Sequence, residues 1–278
     1  MLKQDDGGLR YIQVGGRDFA YLDTGRGPLA LLAHCSSASH KEWLPLIAAL
    51  GGRYRAIAPD LAGYGRSGRV RPGAALDPML DVDMLLTLRR MQDGPAHLVG
   101  HSYGAAMALE AARLMRGQVR SLTLIEPPSF HLLRGGPFRR EEAQVAALVG
   151  RVRAAMVQGD ERGAAAAYMG FWVGPWRWWL APKRVKASVF ETMAKTALEF
   201  ELLDSLALRI EDYATVSAPT RLIFGSKTPA PARAVTGVLA AALPKVEVVE
   251  VRGAGHMSPY THTRRVNELI LEHMDAHA

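Results

Sequence analysis

Gly100-His101-Ser102-Tyr103-Gly104 has the form G-x-S-x-G. That spacing can turn an ordinary hydroxyl into a nucleophile when a strand precedes it and a helix follows. Both conditions hold in the sequence. AHLVG, just before, reads as a buried strand, and YGAAMALEAARLM, just after, reads as a helix. The sharp turn between them needs neighbours without side chains, which Gly100 and Gly104 provide. The helix start then aims its free N–H groups at the place where negative charge develops in acyl transfer. A serine needs a base, and nine histidines are available. His256, in Gly253-Ala254-Gly255-His256, follows the strand KVEVVEV and precedes the helical pattern RRVNELILEHM. A loop at the carboxyl end of a sheet strand is where an imidazole can reach the serine. Its reference pKa, about 6.5, leaves it neutral and able to accept a proton near pH 7. His262, His40 and His101 read as surface or packing residues.

The elements that would hold these residues alternate along the chain. LRYIQVGG and RDFAYLDTG read as two strands joined by a Gly-Gly hairpin. PLALLAH, YRAIAPD, AHLVG, VRSLTLIEP, TRLIFG and KVEVVEV read as short buried strands. EWLPLIAAL, MLDVDMLLTLRRM, YGAAMALEAARLM, ARAVTGVLAAAL and RRVNELILEHM read as helices between and after them. Such alternation predicts an α/β protein, a mostly parallel sheet with helices on both faces. From about Pro127 to Ala214 the rhythm stops. That stretch has helical patterns and the tryptophan-rich run FWVGPWRWW but no strand. It is expected to be a helical cap, residues 127–214, inserted into a core formed by residues 1–126 and 215–278.

Four segments occur together in one order: His34-Cys35-Ser36-Ser37, Asp60-Leu61-Ala62-Gly63-Tyr64-Gly65-Arg66-Ser67-Gly68, the serine turn, and Gly253-Ala254-Gly255-His256. In this the chain resembles the α/β-hydrolase superfamily over nearly its whole length. The resemblance implies an eight-stranded sheet and a Ser-His-acid triad. Its usual acid is an aspartate after the strand TRLIFG, but Gly225-Ser226-Lys227-Thr228-Pro229-Ala230-Pro231 has no carboxylate, and Thr228 stands where that aspartate would be. The haloalkane dehalogenase branch resembles this chain in offering another position, directly after the strand that follows the elbow helix. Glu126 stands there, in LTLIEPP. A carboxylate in that apolar context would be costly if unpaired, so Glu126 is the expected acid. Asp212, Asp204 and Glu199 are weaker candidates.

The resemblance also implies two oxyanion donors, the backbone N–H groups of Tyr103 and Ser36. Cys35 occupies the place of a usual glycine, and His34 is expected to brace the loop. His34, Cys35, Trp172 and Trp176 are the expected substrate-pocket residues. DLAGYGRSG is not a phosphate loop, since it lacks G-x-x-x-x-G-K-[ST]; Asp60 and its glycines are expected to shape a turn. Together these features predict a serine hydrolase of the carboxylesterase kind, acting on a small ester or thioester. C–C bond hydrolysis or acyl transfer on the same triad, or a ligand-binding receptor with vestigial hydrolysis, are the alternatives.

Composition narrows the field further. With 278 residues and 49% apolar side chains, the chain can bury a large core. No apolar run is long enough to span a membrane, and the acidic, glycine-rich start is unlike a signal peptide. The single cysteine and absent leader suggest a cytoplasmic protein. The net charge of +7 comes from scattered arginines without a basic-aromatic run, so nucleic-acid binding is not expected. No ligand cluster or dinucleotide fingerprint appears, so no metal or organic cofactor is expected. The expected partner is a small ester-like molecule; oligomeric state is left open.

Overall fold

The computed structural model describes residues 8–70, 75–205 and 208–278. The reading of the extreme N-terminus as leaderless falls mostly on residues 1–7, outside the described residues. Eight strands form one sheet: β1 (Arg10–Val14), β2 (Arg17–Thr24), β3 (Leu29–Ala33), β4 (Arg55–Pro59), β5 (Ala96–His101), β6 (Val119–Ile125), β7 (Thr220–Gly225) and β8 (Val246–Val251). Their spatial order is β1-β2-β4-β3-β5-β6-β7-β8. β1, β2 and β4 pair antiparallel, and every pairing from β4 through β8 is parallel.

The apolar runs of the inner strands follow from burial on both faces. In β3, Leu29, Leu31 and Ala33 join one core while Ala30 and Leu32 join the other. The second core is closed by α1 (Leu44–Leu50) and α10 (Thr263–Asp275). α10 presents Val266, Leu269, Ile270, His273 and Met274 on one stripe, at the spacing of an amphipathic helix. The first core is closed by α2 (Leu80–Arg89), α3 (Tyr103–Met115) and α8 (Ala230–Ala242). Pro45 lies in the first turn of α1, where its missing N–H costs nothing.

Between β6 and β7 the described residues hold α4 (Arg139–Val157), α5 (Glu161–Val173), α6 (Pro175–Trp179) and α7 (Lys183–Ser205), with a 3-10 turn before and after them. These helices pack on the carboxyl side of the strands, where Trp172 of α5 meets His256 and Glu199 of α7 meets Ser36. A short helix, α9 (Ser258–Thr261), follows His256 and was not apparent in the sequence pattern.

Candidate active site

Ser102 sits between β5 and α3 at φ 52° and ψ −124°, a conformation that L-residues avoid. The flanking glycines are required by close approach. A Cβ on Gly100 would collide with the backbone of Gly104 and Ala105, and one on Gly104 with the carbonyls of Ala33 and His34. The turn therefore wedges against the end of β3 and lifts the hydroxyl off the sheet edge.

Residues far apart in sequence converge on that hydroxyl. Ser102 Oγ donates to His256 Nε2 at 2.9 Å. His256 Nδ1 donates to Glu126 Oε2 at 2.7 Å, which fixes the tautomer, because a carboxylate can only accept. Glu126 follows β6 at φ 47°, a left-handed strain of about 1–3 kcal/mol. It accepts two further hydrogen bonds, from the Gly225 N–H at 2.8 Å and from the Thr228 hydroxyl. Thr228 thus stands where an aspartate is expected, but serves as a donor to the carboxylate that replaces it. Burial pushes Glu126 up, yet these hydrogen bonds and the imidazole outweigh it and hold the carboxyl below the ordinary range. Burial pulls His256 below its ordinary value, against the opposing pull of Glu126. Asp212 makes no approach to the site; its carboxylate accepts the Arg209 N–H in the 3-10 turn before β7.

Tyr103 begins α3 and Ser36 follows β3. Among the described residues neither backbone N–H is taken up by a protein acceptor. Around them the loop after β3 is held tightly. The Cys35 N–H donates to Glu42 Oε2 at 2.8 Å, and Ser36 Oγ donates to Glu199 Oε2 at 2.5 Å. His34 braces the loop from inside: Nδ1 donates to the Cys35 carbonyl and Nε2 accepts the Leu61 N–H. It does not line the cavity, contrary to the expectation for a pocket residue, because both nitrogens are spent on backbone within the core. Asp60 shapes its turn by accepting the His40 and Arg66 N–H groups and the His40 Nδ1. His40 and His101 are buried, so neither is a surface residue.

The sequence pattern missed Glu42 and misjudged His101. His101 Nδ1 lies 2.6 Å from Glu42 Oε1 and its Nε2 lies 3.0 Å from the His256 carbonyl. The carbonyl can only accept, so Nε2 carries a proton. Burial alone would lower His101, but the Glu42 carboxylate outweighs it and raises the imidazole, and Nδ1 faces a carboxylate that can only accept. The Glu42–His101 pair therefore ties together the loop after β3, the turn around Ser102 and the loop that carries His256. Cys35 Sγ, the Glu42 carboxylate and the His101 ring bring their possible ligand atoms within 4.8 Å of one another, the one such grouping among the described residues. Glu42 and His101 are spent on each other. Burial, reinforced by Glu42, pushes the Cys35 thiol up and keeps it protonated.

A second buried ionic group lies behind the elbow. Lys195 of α7 sits 3.2 Å from Glu199 Oε1 and 3.5 Å from Asp81 Oδ2. Tyr64 donates to Glu199 at 2.6 Å and Tyr103 to Asp81 at 3.0 Å. Two carboxylates thus share one ammonium, which is sandwiched between the two phenol rings.

A cavity of about 820 Å³ opens from Ser102 and His256 beneath α5, α6 and the start of α7. Cys35, Ser36 and Trp172 line it, together with Tyr168, Trp178 and Val189. Trp176 does not. It points outward, 75% exposed, because α6 turns the opposite face, with Trp178, toward the interior. His262 joins the lining.

Comparison with known proteins agrees with this fold. Residues 30–269 match the Alpha/beta hydrolase family. The chain is 39% identical to the magnesium-chelatase 30 kDa subunit of Rhodobacter capsulatus over 103 residues, 36% of either chain. It is 33% identical to the putative carbamate hydrolase RutD of Azorhizobium caulinodans over 118 residues, 42% of this chain and 44% of that one. Both matches thus span less than half of the relatives' length. A hydrolase structure from Pseudomonas aeruginosa PA01 superposes with a TM-score of 0.76 at 22% identity, over 97% of this chain and 99% of that one. The chain belongs to the alpha/beta hydrolase family.

Proposed function

We propose that this hydrolase cleaves carboxylic esters or thioesters without a cofactor, through Ser102, His256 and Glu126. One observation carries the reading: a continuous hydrogen-bonded line from hydroxyl to imidazole to buried carboxylate, opening on an apolar cavity. His256 takes the Ser102 proton as Oγ attacks the acyl carbon, and Glu126 stabilises the imidazolium. The Tyr103 and Ser36 N–H groups receive the oxyanion, and one such donor is worth about 3–4 kcal/mol. His256 then protonates the leaving oxygen or sulfur. Water, deprotonated by the same imidazole, releases the acid and restores Ser102.

The cavity suits an acyl or aryl group of moderate size, since Trp172, Trp178, Val189 and Tyr168 give its wall a broad apolar face. Hydrolysis of a p-nitrophenyl ester series tests the reading, with Ser102→Ala as control. Sustained turnover that disappears in Ser102→Ala supports it. A single slow round would instead indicate a receptor, and intact esters across the series would refute it.

A further inference from the structure

The tryptophan-rich stretch has two halves with opposite fates. Trp172 and Trp178 face the interior, whereas Trp176 and Trp179 are 75% and 67% exposed, and Leu180 beside them is 70% exposed. Trp176 and Trp179 meet edge to face, ring centroids 6.0 Å apart, so they form one apolar knuckle. Large apolar side chains standing together in water mark a surface that something else covers.

The charge around the knuckle says what that is. From Arg162 to Phe190 the chain has five cations, Arg162, Arg177, Lys183, Arg184 and Lys186, and no carboxylate. Arg177, Lys183 and Arg184 have no ion-pair or hydrogen-bond partner among the described residues. Lys186 fastens the knuckle by donating to the Trp179 carbonyl at 2.7 Å. The knuckle also borders the cavity mouth, since Arg177, Leu180 and Arg184 are shared with the cavity lining, which contains no aspartate or glutamate. Indoles settle at the boundary between lipid and water, and nearby lysines and arginines are attracted to anionic headgroups.

We infer that the Trp176–Trp179–Leu180 knuckle and its flanking cations dock this protein peripherally on an anionic phospholipid surface, with the cavity mouth turned toward the lipid. No helix among the described residues is long and apolar enough to cross a membrane, so the attachment is to the surface only. A mouth held against lipid admits molecules dissolved in the bilayer as well as those in water. The docking goes beyond the ester reading and does not depend on it.

Sedimentation with phospholipid vesicles tests it, using the full chain. Wild-type protein is expected to pellet with vesicles containing about 30% phosphatidylglycerol and to be released as salt is raised. Phosphatidylcholine vesicles are expected to hold it about ten-fold less. Trp176→Ser/Trp179→Ser and, separately, Lys183→Glu should each weaken the anionic-vesicle binding by about ten-fold. Neither change touches the core or the cavity lining, so the circular dichroism melting curve should match wild type. Failure to bind anionic vesicles at low salt overturns the inference, as does binding that these variants leave unchanged. A dimer in sedimentation velocity that the tryptophan variant dissolves, without vesicle binding, overturns it in favour of a second copy of the chain. Ester turnover is read separately, so loss of the hydrolysis reading and loss of the docking reading are distinguishable.

Discussion

The indole of Trp172 lies nearly parallel to the imidazole of His256, ring centroids 3.7 Å apart and planes tilted by 20°. Phe130 stacks on the same indole at 6.0 Å, so the ring that backs the base is itself held in place. An aromatic face steadies the imidazolium that forms during each proton transfer, by about 0.5–2 kcal/mol. Trp172→Leu keeps the site apolar but removes the face. It is expected to lower kcat about ten-fold in steady-state ester hydrolysis; a change confined to KM would mean that the indole serves only to bind substrate.

Glu126 and Thr228 face each other across the site from β6 and from the loop after β7. Glu126→Gln is expected to cost about 10³–10⁴ in kcat, since the amide cannot stabilise an imidazolium. Exchanging the two roles, as Glu126→Thr/Thr228→Asp, puts a carboxylate on the other loop. This double variant should exceed Glu126→Thr alone by at least about ten-fold in kcat. If the two are equally inactive, the Thr228 position cannot supply the acid.

Ser102 and His256 were legible because a strained turn needs glycines, and glycines mark both loops. Glu126 was legible for a different reason: a carboxylate between an apolar strand and two prolines has no place unless it is paired. Glu42 left no such trace. It lies in a 3-10 turn of no special pattern, and its partner His101 is 59 residues away. Trp176 was misplaced because FWVGPWRWW is aromatic on every side, and only the Gly174-Pro175 break that starts α6 decides which rings turn inward. The sheet itself was readable strand by strand, since alternating residues of the inner strands are buried on both faces and leave uninterrupted apolar runs.

The Glu42–His101 pair makes opposite predictions for its two members. Removing the cation beside His256, as His101→Gln, leaves the Glu42 carboxylate unopposed and should raise the base. The acidic limb of the kcat/KM profile then moves to higher pH. Glu42→Gln removes the carboxylate and should leave that limb in place or move it lower. Each is expected to lower kcat by about 10–100-fold, as for partners that orient a functional histidine. Identical shifts for both variants would show that the pair acts only through packing.

His97 lies buried under Tyr54, with its Nδ1 on Ser121 and no partner for Nε2 among the described residues. Burial, helped by Arg120, pulls it down to about 4. In the unfolded chain the same imidazole takes a proton near 6.5. Between these values the unfolded state binds more protons, so stability falls as pH drops through that window. Urea unfolding midpoints measured from pH 7 to 4 should decline, and His97→Gln should flatten the decline. A slope unchanged by His97→Gln would assign the effect to other groups.

Lys195 and Glu199 have a consequence for traffic through the site. Both belong to α7, yet one grips Asp81 in the body of the protein and the other grips Ser36 in the loop after β3. Prising the roof away would strip an ammonium from the sunken Asp81 carboxylate and drag the loop after β3 along with it. Two ties from one helix, to Asp81 and to Ser36, thus oppose any lifting of α7 from the sheet edge.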